Sequence, residues 1–293
     1  MSKMPETEAR NDSSRDLDLR SSEELVEVIV DDQEGALAAV RSARAVIAHA
    51  IERIAERIER GGSLHYVGAG TSGRLAVQDA SEIPPTFGTP PQVVQAHIAG
   101  GAAAFTRAVE DAEDDGAAAA AMVEHCVRAS DALIGISASG SATYVHRAVV
   151  AARAVGAYTV AIVNVSGTEL GRSAEDEILL ATGAEVLTGS TRLKAGTAQK
   201  IVLNAISTAV MVRLGKVYDN LMVDVVATNA KLRDRAVRLV QALTGLDASG
   251  AQVALEEAKG RVKVAAIMVK LGIDAGTASA LLERERGRLR PFL

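Results

Sequence analysis

The 293-residue chain has no tryptophan, three phenylalanines, four tyrosines and one cysteine, Cys126. Each scarcity excludes something. A single cysteine cannot close an intramolecular disulfide or supply a multi-cysteine metal motif. Aromatics at 2% of residues leave no stacking platform for single-stranded nucleic acid and no aromatic belt for a membrane protein. No apolar run reaches the roughly 20 residues that span a bilayer. Met1 to Glu24 is polar and lacks the apolar stretch of a signal peptide. An excess of one charge is missing too: 32 basic and 37 acidic residues leave a net charge of −5, with no general pull towards phosphate polymers. The expectation is a soluble cytoplasmic protein with neither nucleic acid nor membrane as partner.

What is present is an apolar fraction of 48%, ample for a core that needs no disulfide or metal as a staple. The first twenty residues read as a polar arm. Helix should begin near Ser21 or Ser22, where hydroxyls precede Glu23 and Glu24. A second helical pattern runs from about Gly35 to Arg60, on Leu37, Val40, Val46, Ile47, Ile51, Ile54 and Ile58. Short β-rich runs then follow at Leu64–Val67, Val93–Ile98, Ala132–Ser137, Thr159–Val165 and about Glu177–Leu180. Helical stretches separate most of them, including the Ala-rich tract 117–122. That alternation predicts an α/β fold with a parallel sheet sandwiched by helices. A long, mostly apolar helix is expected over Arg192–Gly215. Beyond Thr228 the strand signals stop, and Asn229–Leu243, Ala248–Ala258, Val262–Leu271 and Ala275–Arg286 read as four helices. The expected organisation is an arm with helices over 1–60, a sheet domain over 61–228 and a helical subdomain over 229–293.

Two loops carry chemistry. Tyr66-Val67-Gly68-Ala69-Gly70-Thr71-Ser72-Gly73-Arg74 leaves a strand and enters a helix, where free N–H groups and the helix dipole favour an anion. It is no Walker loop, because no Gly-Lys-Ser/Thr follows. The second loop, Ile136 to Thr143, places Ser137, Ser139, Ser141 and Thr143 in seven residues, a density with no packing purpose. Ligands of open α/β sheets bind beyond the carboxyl ends of the strands, where two such loops would converge. Together they point to a small phosphorylated metabolite. Acids cluster in Asp79-Ala80-Ser81-Glu82, just before a Pro84-Pro85 pair expected to stop a helix. They cluster again in Glu110 to Asp115, five acids in six residues. The segment Thr188 to Lys200 brings Ser190, Arg192 and Lys194 to a helix start, against the dipole preference, as if facing an anion.

At these residues the chain resembles the bacterial N-acetylmuramic acid 6-phosphate etherases, whose hydroxyl loops belong to a sugar isomerase (SIS) domain. The matching strings are Gly-Ala-Gly-Thr-Ser-Gly-Arg-Leu (68–75), Asp-Ala-Ser-Glu-Ile-Pro-Pro-Thr-Phe-Gly (79–88) and Ile-Ala-Gly-Gly (98–101). Two more follow at 188–200 and 220–229, and weaker similarity covers the arm and the last helices. The resemblance implies an SIS-type sheet and cleavage of the D-lactyl ether of N-acetylmuramic acid 6-phosphate, in cell-wall recycling. It implies elimination followed by hydration, with no metal or other cofactor. Glu82 matches the family's proton donor and Glu113 its second catalytic acid. Gly70, Thr71, Ser72, Ser137, Ser139, Ser141, Ser190 and Lys194 are the expected substrate-binding residues. One departure stands at Ala142, where related loops commonly carry Thr; Ser141 or Thr143 is expected to compensate.

Glu82 lies ten residues beyond Ser72, and helical rise puts it about 15 Å from a phosphate at its own helix start. That is long for a hexose phosphate, so Glu82 is expected to serve a neighbouring subunit in a homodimer with shared sites. His49, His65, His97, His125 and His146 show no metal-like clustering and read as structural. Two readings stay open for Arg192 and Lys194: ligands of the phosphate or lactyl carboxylate, or surface charge. Asp224 and Asn229 either line the site or tie down the C-terminal helices. Competing functions on the same domain are a non-catalytic phosphosugar sensor and an aldose–ketose phosphosugar isomerase. Neither would release lactate.

Overall fold

The computed structural model describes residues 5–226 and 230–293. The expected boundary at Thr228 and the candidate Asn229 lie outside the described residues. The chain folds as two compact units: one takes the chain up to Ser81 together with Gln92–Ser207, the other Glu82–Pro91 together with Thr208–Leu293. These lines differ from the sequence-based division, since the N-terminal helices join the sheet and residues 82–91 join the C-terminal helices. Among the described residues no single helix is long and apolar enough to cross a membrane.

The first unit opens with three short 3-10 turns and the helices α1 (Ser22–Asp32), α2 (Glu34–Ser42) and α3 (Arg44–Glu59). Ser21 and Glu24 form a reciprocal capping box at the start of α1, the signal legible in the sequence. Strand β1 (Leu64–Gly68) leads into α4 (Gly70–Phe87), then β2 (Val94–Ile98), α5 (Ala103–Thr106) and α6 (Gly116–Cys126). Next come β3 (Ala132–Ser137), α7 (Thr143–Ala154), β4 (Tyr158–Val163), α8 (Glu169–Ser173), β5 (Asp176–Leu179) and α9 (Lys194–Arg213). All five expected strands are present, within one or two residues of their expected ends.

The sheet is wholly parallel in the order β2-β1-β3-β4-β5. Every residue of β1, β3 and β4 is buried, as a sheet covered on both faces requires. Successive side chains alternate between those faces. Val67, Leu133, Ala161 and Val163 pack with Val123, Val145 and Val149 of α6 and α7, while Tyr66, Ile134, Ile136 and Ile162 are equally buried.

One expectation needs correction. The Pro84-Pro85 pair does not stop α4, which runs on to Phe87 with both prolines inside it. Their rings remove two N–H donors, but they stand in the last turn, where the helix closes when Gly88 N–H meets the Pro84 carbonyl at 2.9 Å.

The second unit is built on α10 (Ala230–Thr244), α11 (Ala248–Glu257), α12 (Val262–Leu271) and α13 (Ala275–Arg284). Val240, Leu243, Ala265, Ile267 and Ala278 are among its core residues, joined by Val223 and Val225 of the preceding loop. Asp247 and Asp274 cap α11 and α13.

A histidine pair, His65 buried and His97 half-buried, ties β1 to β2. His65 Nδ1 lies 3.1 Å from His97 Nε2. Burial lowers the pKa of both rings; for His97 burial and then His65 press it to about 4, and Asp131 partly opposes the shift at His65. Unfolded, His97 takes a proton below its ordinary value of 6.5; folded, only near 4. Unfolding between those values therefore absorbs protons, and stability should fall as pH drops from about 6.5 to about 4. Urea unfolding at stepped pH should show that slope, and His97→Gln should flatten it. An unchanged slope in the variant would refute the assignment.

Candidate active site

The strand order reverses between β1 and β3. Their neighbours β2 and β4 lie on opposite sides, so the loops after β1 and β3 part and leave a crevice at the strand ends. Gly68, which ends β1, pairs in register with Ile136, one residue before the end of β3. The glycine loop and the serine loop therefore leave adjoining strands side by side, as their compositions led one to expect.

The serine loop is internally wired. Ser137, the last residue of β3, accepts the Gly140 N–H on its hydroxyl at 3.1 Å. Ser139 and Ser141 share a hydrogen bond of 2.7 Å, and Ser141 N–H donates to Ser139 Oγ at 3.3 Å. Gly140 has φ +70°, and a Cβ there would stand 2.4 Å from Thr168 Cγ2, so glycine is required on both counts. Ala142 precedes α7 without giving a side-chain cap, so the first-turn N–H groups of α7 receive no side-chain oxygen from the N-cap position. Ser139, Gly140, Ser141, Thr143, His146, Thr168 and Glu169 line a cavity of about 350 Å³. Ser141 and Thr143, which flank Ala142, both face it. His146 is held by Ser173, Nε2 to Oγ at 2.9 Å.

The glycine loop is anchored from behind. Gly70 begins α4 with φ +53° and is exposed; Thr71 is half-buried. Ser72 is buried and donates its hydroxyl to Gln199 Oε1 at 2.8 Å. Gln199 Nε2 in turn donates to Asn164 Oδ1 at 2.9 Å, and Asn164 Nδ2 to the Leu180 carbonyl at 3.0 Å. This chain runs from α4 through α9 to the ends of β4 and β5. Asp79, one face further along α4, accepts from Tyr66, Asn204 and Ser207 and so is a strut of the fold. Burial, then Asp79, holds the Tyr66 phenol well above its ordinary range.

The start of α9 holds a residue that sequence reasoning missed. Glu185 is fully buried and accepts N–H bonds from Lys194 at 2.9 Å and Ala195 at 2.8 Å. Burial raises its pKa, while those two N–H groups and Lys194 oppose the rise. The anion that the basic helix start was expected to face is thus partly the protein's own. Lys194 is also buried: its ammonium donates to Asp32 Oδ1 at 2.8 Å and the Ala184 carbonyl at 2.9 Å. Asn11 of the arm reaches the same Asp32 oxygen at 3.1 Å. Ser14 donates to the Val186 carbonyl at 2.7 Å. Lys194 therefore meets a side-chain carboxylate in this structure, and Ser190 sits half-buried in the turn before it. Arg192 is exposed.

Glu113 is exposed in the 3-10 turn Ala112–Asp114. Its neighbours Glu110, Asp111, Ala112 and Asp115 line a cavity of about 940 Å³ with His97, Met122 and Tyr144. Thr143 faces the smaller cavity and Tyr144 the larger, so the first turn of α7 stands between the serine loop and the turn of Glu113. Of the acidic run, Asp115 caps α6 through Ala118 N–H at 2.9 Å. Glu82 is exposed on α4, within the second unit.

Relatives place this architecture. The N-acetylmuramic acid 6-phosphate etherase of Deinococcus radiodurans is 51% identical over 266 residues, covering 90% of this chain and 87% of that protein. The protein of the same name from Nostoc punctiforme is also 51% identical, over 89% of this chain and 85% of its own length. This chain belongs to the N-acetylmuramic acid 6-phosphate etherase family. Two domain descriptions match within it: the glucokinase regulatory protein N-terminal SIS domain over residues 46–152, and the SIS domain over residues 104–209. A phosphoheptose isomerase from Francisella tularensis has the same fold, with a TM-score of 0.53 at 20% identity, over 65% of this chain and 98% of that one. The etherase family thus uses, in this chain, the SIS sheet whose switch-point loops are described above.

Proposed function

We propose that the protein is an N-acetylmuramic acid 6-phosphate etherase that releases D-lactate and N-acetylglucosamine 6-phosphate. The observation that carries the reading is the pairing of two loops, one of hydroxyls and one of glycines, at the reversal point of a sheet. That pairing stands in a chain half identical to etherases over nine-tenths of its length. Ser137, Ser139 and Ser141, with the N–H groups opening α4 and α7, suit a phosphate ester; Gly70, Thr71, Ser72 and Ser190 complete the proposed binding set. Lys194 supports that set from behind by tying α9 to α1. As functional segments, residues 1–60 are an arm with helices, 61–228 the phosphosugar domain and 229–293 a helical subdomain. A cytoplasmic location follows from a phosphorylated sugar substrate.

The chemistry balances without a redox partner. In the ring-opened sugar a base takes the C2 proton, acidified by the adjacent aldehyde. Glu82 donates a proton to the C3 ether oxygen as the C3–O bond breaks, and D-lactate leaves with that oxygen. Water then adds to the enal at C3. Glu113 is the second carboxyl of this proton traffic. α4 is helical from Gly70 to Phe87, which supports Glu82 serving a neighbouring subunit in a homodimer.

Incubating the purified protein with N-acetylmuramic acid 6-phosphate should release D-lactate, and in heavy water the product should carry deuterium at C2. A folded preparation that binds the substrate without releasing lactate would instead be a sensor. Aldose–ketose exchange without lactate would make it an isomerase.

A further inference from the structure

The second unit holds a buried lysine outside the chemistry proposed above. Lys263, in the first turn of α12, is 3% exposed. Its ammonium donates to the Gly215 carbonyl at 2.8 Å, to Asp224 Oδ2 at 2.6 Å and to the Gly287 carbonyl at 2.7 Å. All three of its donors are engaged. Burial presses its pKa down and Asp224 opposes the shift. Lys216 Nζ stands 3.4 Å from the same Asp224 oxygen, so Asp224 is held by two cations.

The backbone of Asp224 runs against the end of α4. Gly88 has φ +63°, and a Cβ built there would stand 2.6 Å from the Asp224 carbonyl oxygen and 3.4 Å from Val226 Cγ2. Only glycine fits that approach. The α4 turn just before it is the one weakened by proline: without N–H groups at Pro84 and Pro85, the carbonyls of Ala80 and Ser81 lose their helical donors. Glu82 stands in that turn. Short of two of its own bonds, the turn depends on what packs against it for its direction.

We propose that Lys263 is a positioning residue for Glu82, fixing Asp224 against Gly88 and so setting the pose of the helix end that carries the proton donor. The proposal rests on the reading of Glu82 as that donor. It also gives the C-terminal helices a purpose, since α12 supplies the lysine.

The test separates proton abstraction from lactate departure. Wild type, Lys263→Met and the milder Asp224→Asn are given N-acetylmuramic acid 6-phosphate in heavy water. Lactate release is followed beside total deuterium entry at C2, summed over substrate and product. Misplacing a proton donor by about 1 Å costs on the order of 100-fold, so lactate release should fall about 10- to 100-fold in Lys263→Met. C2 labelling, which does not need the donor, should stay within about twofold. Asp224→Asn should show the same split at the lower end of that range, and decides the matter alone if Lys263→Met fails to fold. Loss of both rates together, or of neither, overturns the positioning role. Wild type that releases no lactate would overturn the etherase reading instead, a different result.

Discussion

Glu82→Gln should lose lactate release by about 10²- to 10⁴-fold, the usual worth of a positioned general acid, and Glu113→Gln should lose a comparable amount. Both side chains are exposed. Replacing either carboxylate by the isosteric amide removes no buried partner, so fold and melting temperature should stay close to wild type. The two variants should differ in kind. Without the donor, C2 labelling in heavy water persists while the ether survives. Labelling that vanishes with Glu82→Gln would make Glu82 the base and reverse the assignment.

Mixing the two inactive proteins sharpens this. In a twofold dimer with shared sites, a heterodimer of Glu82→Gln and Glu113→Gln has one site with both carboxylates intact and one with neither. Random reassembly makes half of the dimers mixed, so about a quarter of wild-type activity per protomer should return. Sites built within one chain would return none. Recovery thus tests the neighbouring-subunit role directly, and the rate of subunit exchange should set the time course of recovery.

Much of the architecture was legible because parallel strands buried on both faces must be short apolar runs. Leu64–Val67 and Ala132–Ser137 could hardly be read otherwise. The serine loop was legible for the opposite reason, since hydroxyls at that density pack nothing. Long-range partners were not legible. Nothing near Lys194 in sequence announces Asp32, which reaches it from 162 residues away, and nothing marks Glu185 as buried rather than surface charge. The path of α4 was misread at Pro84-Pro85 because proline's cost was counted as a stop, whereas a last turn tolerates it when Gly88 closes the helix. Lys263 was not legible for the reason that hid the partners of Lys194: an isolated lysine on an amphipathic helix looks solvated until its three acceptors are gathered from distant turns.

Lys194→Met should destabilise the protein by about 3–5 kcal/mol, the cost of leaving one partner of a buried ion pair alone. The side chains of Lys194 and Asp32 are 7% and 10% exposed. Asp32 Oδ2 has no hydrogen-bond partner even in the intact pair, so removal of the ammonium leaves a buried carboxylate with Asn11 as its remaining donor at Oδ1. Much of the loss should return in Lys194→Met with Asp32→Asn, because the second change removes the stranded charge rather than restoring a bond. Denaturant unfolding of the two single variants and the double variant measures that coupling. The same proteins test the sequence-based reading of Lys194 as a substrate ligand, the other reading, surface charge, being excluded by its burial. If its ammonium gripped substrate phosphate, the single variant would raise KM sharply with little loss of stability, and Asp32→Asn would rescue nothing. A tie between α9 and α1 predicts the reverse: stability falls first, and KM in the folded fraction changes little. The arm shares this fate through Asn11, which also donates to the Ala184 carbonyl at 3.3 Å, so Asn11→Ala should weaken the same junction by a smaller amount, about 1.5–3 kcal/mol, the usual worth of a hydrogen bond to a charged group.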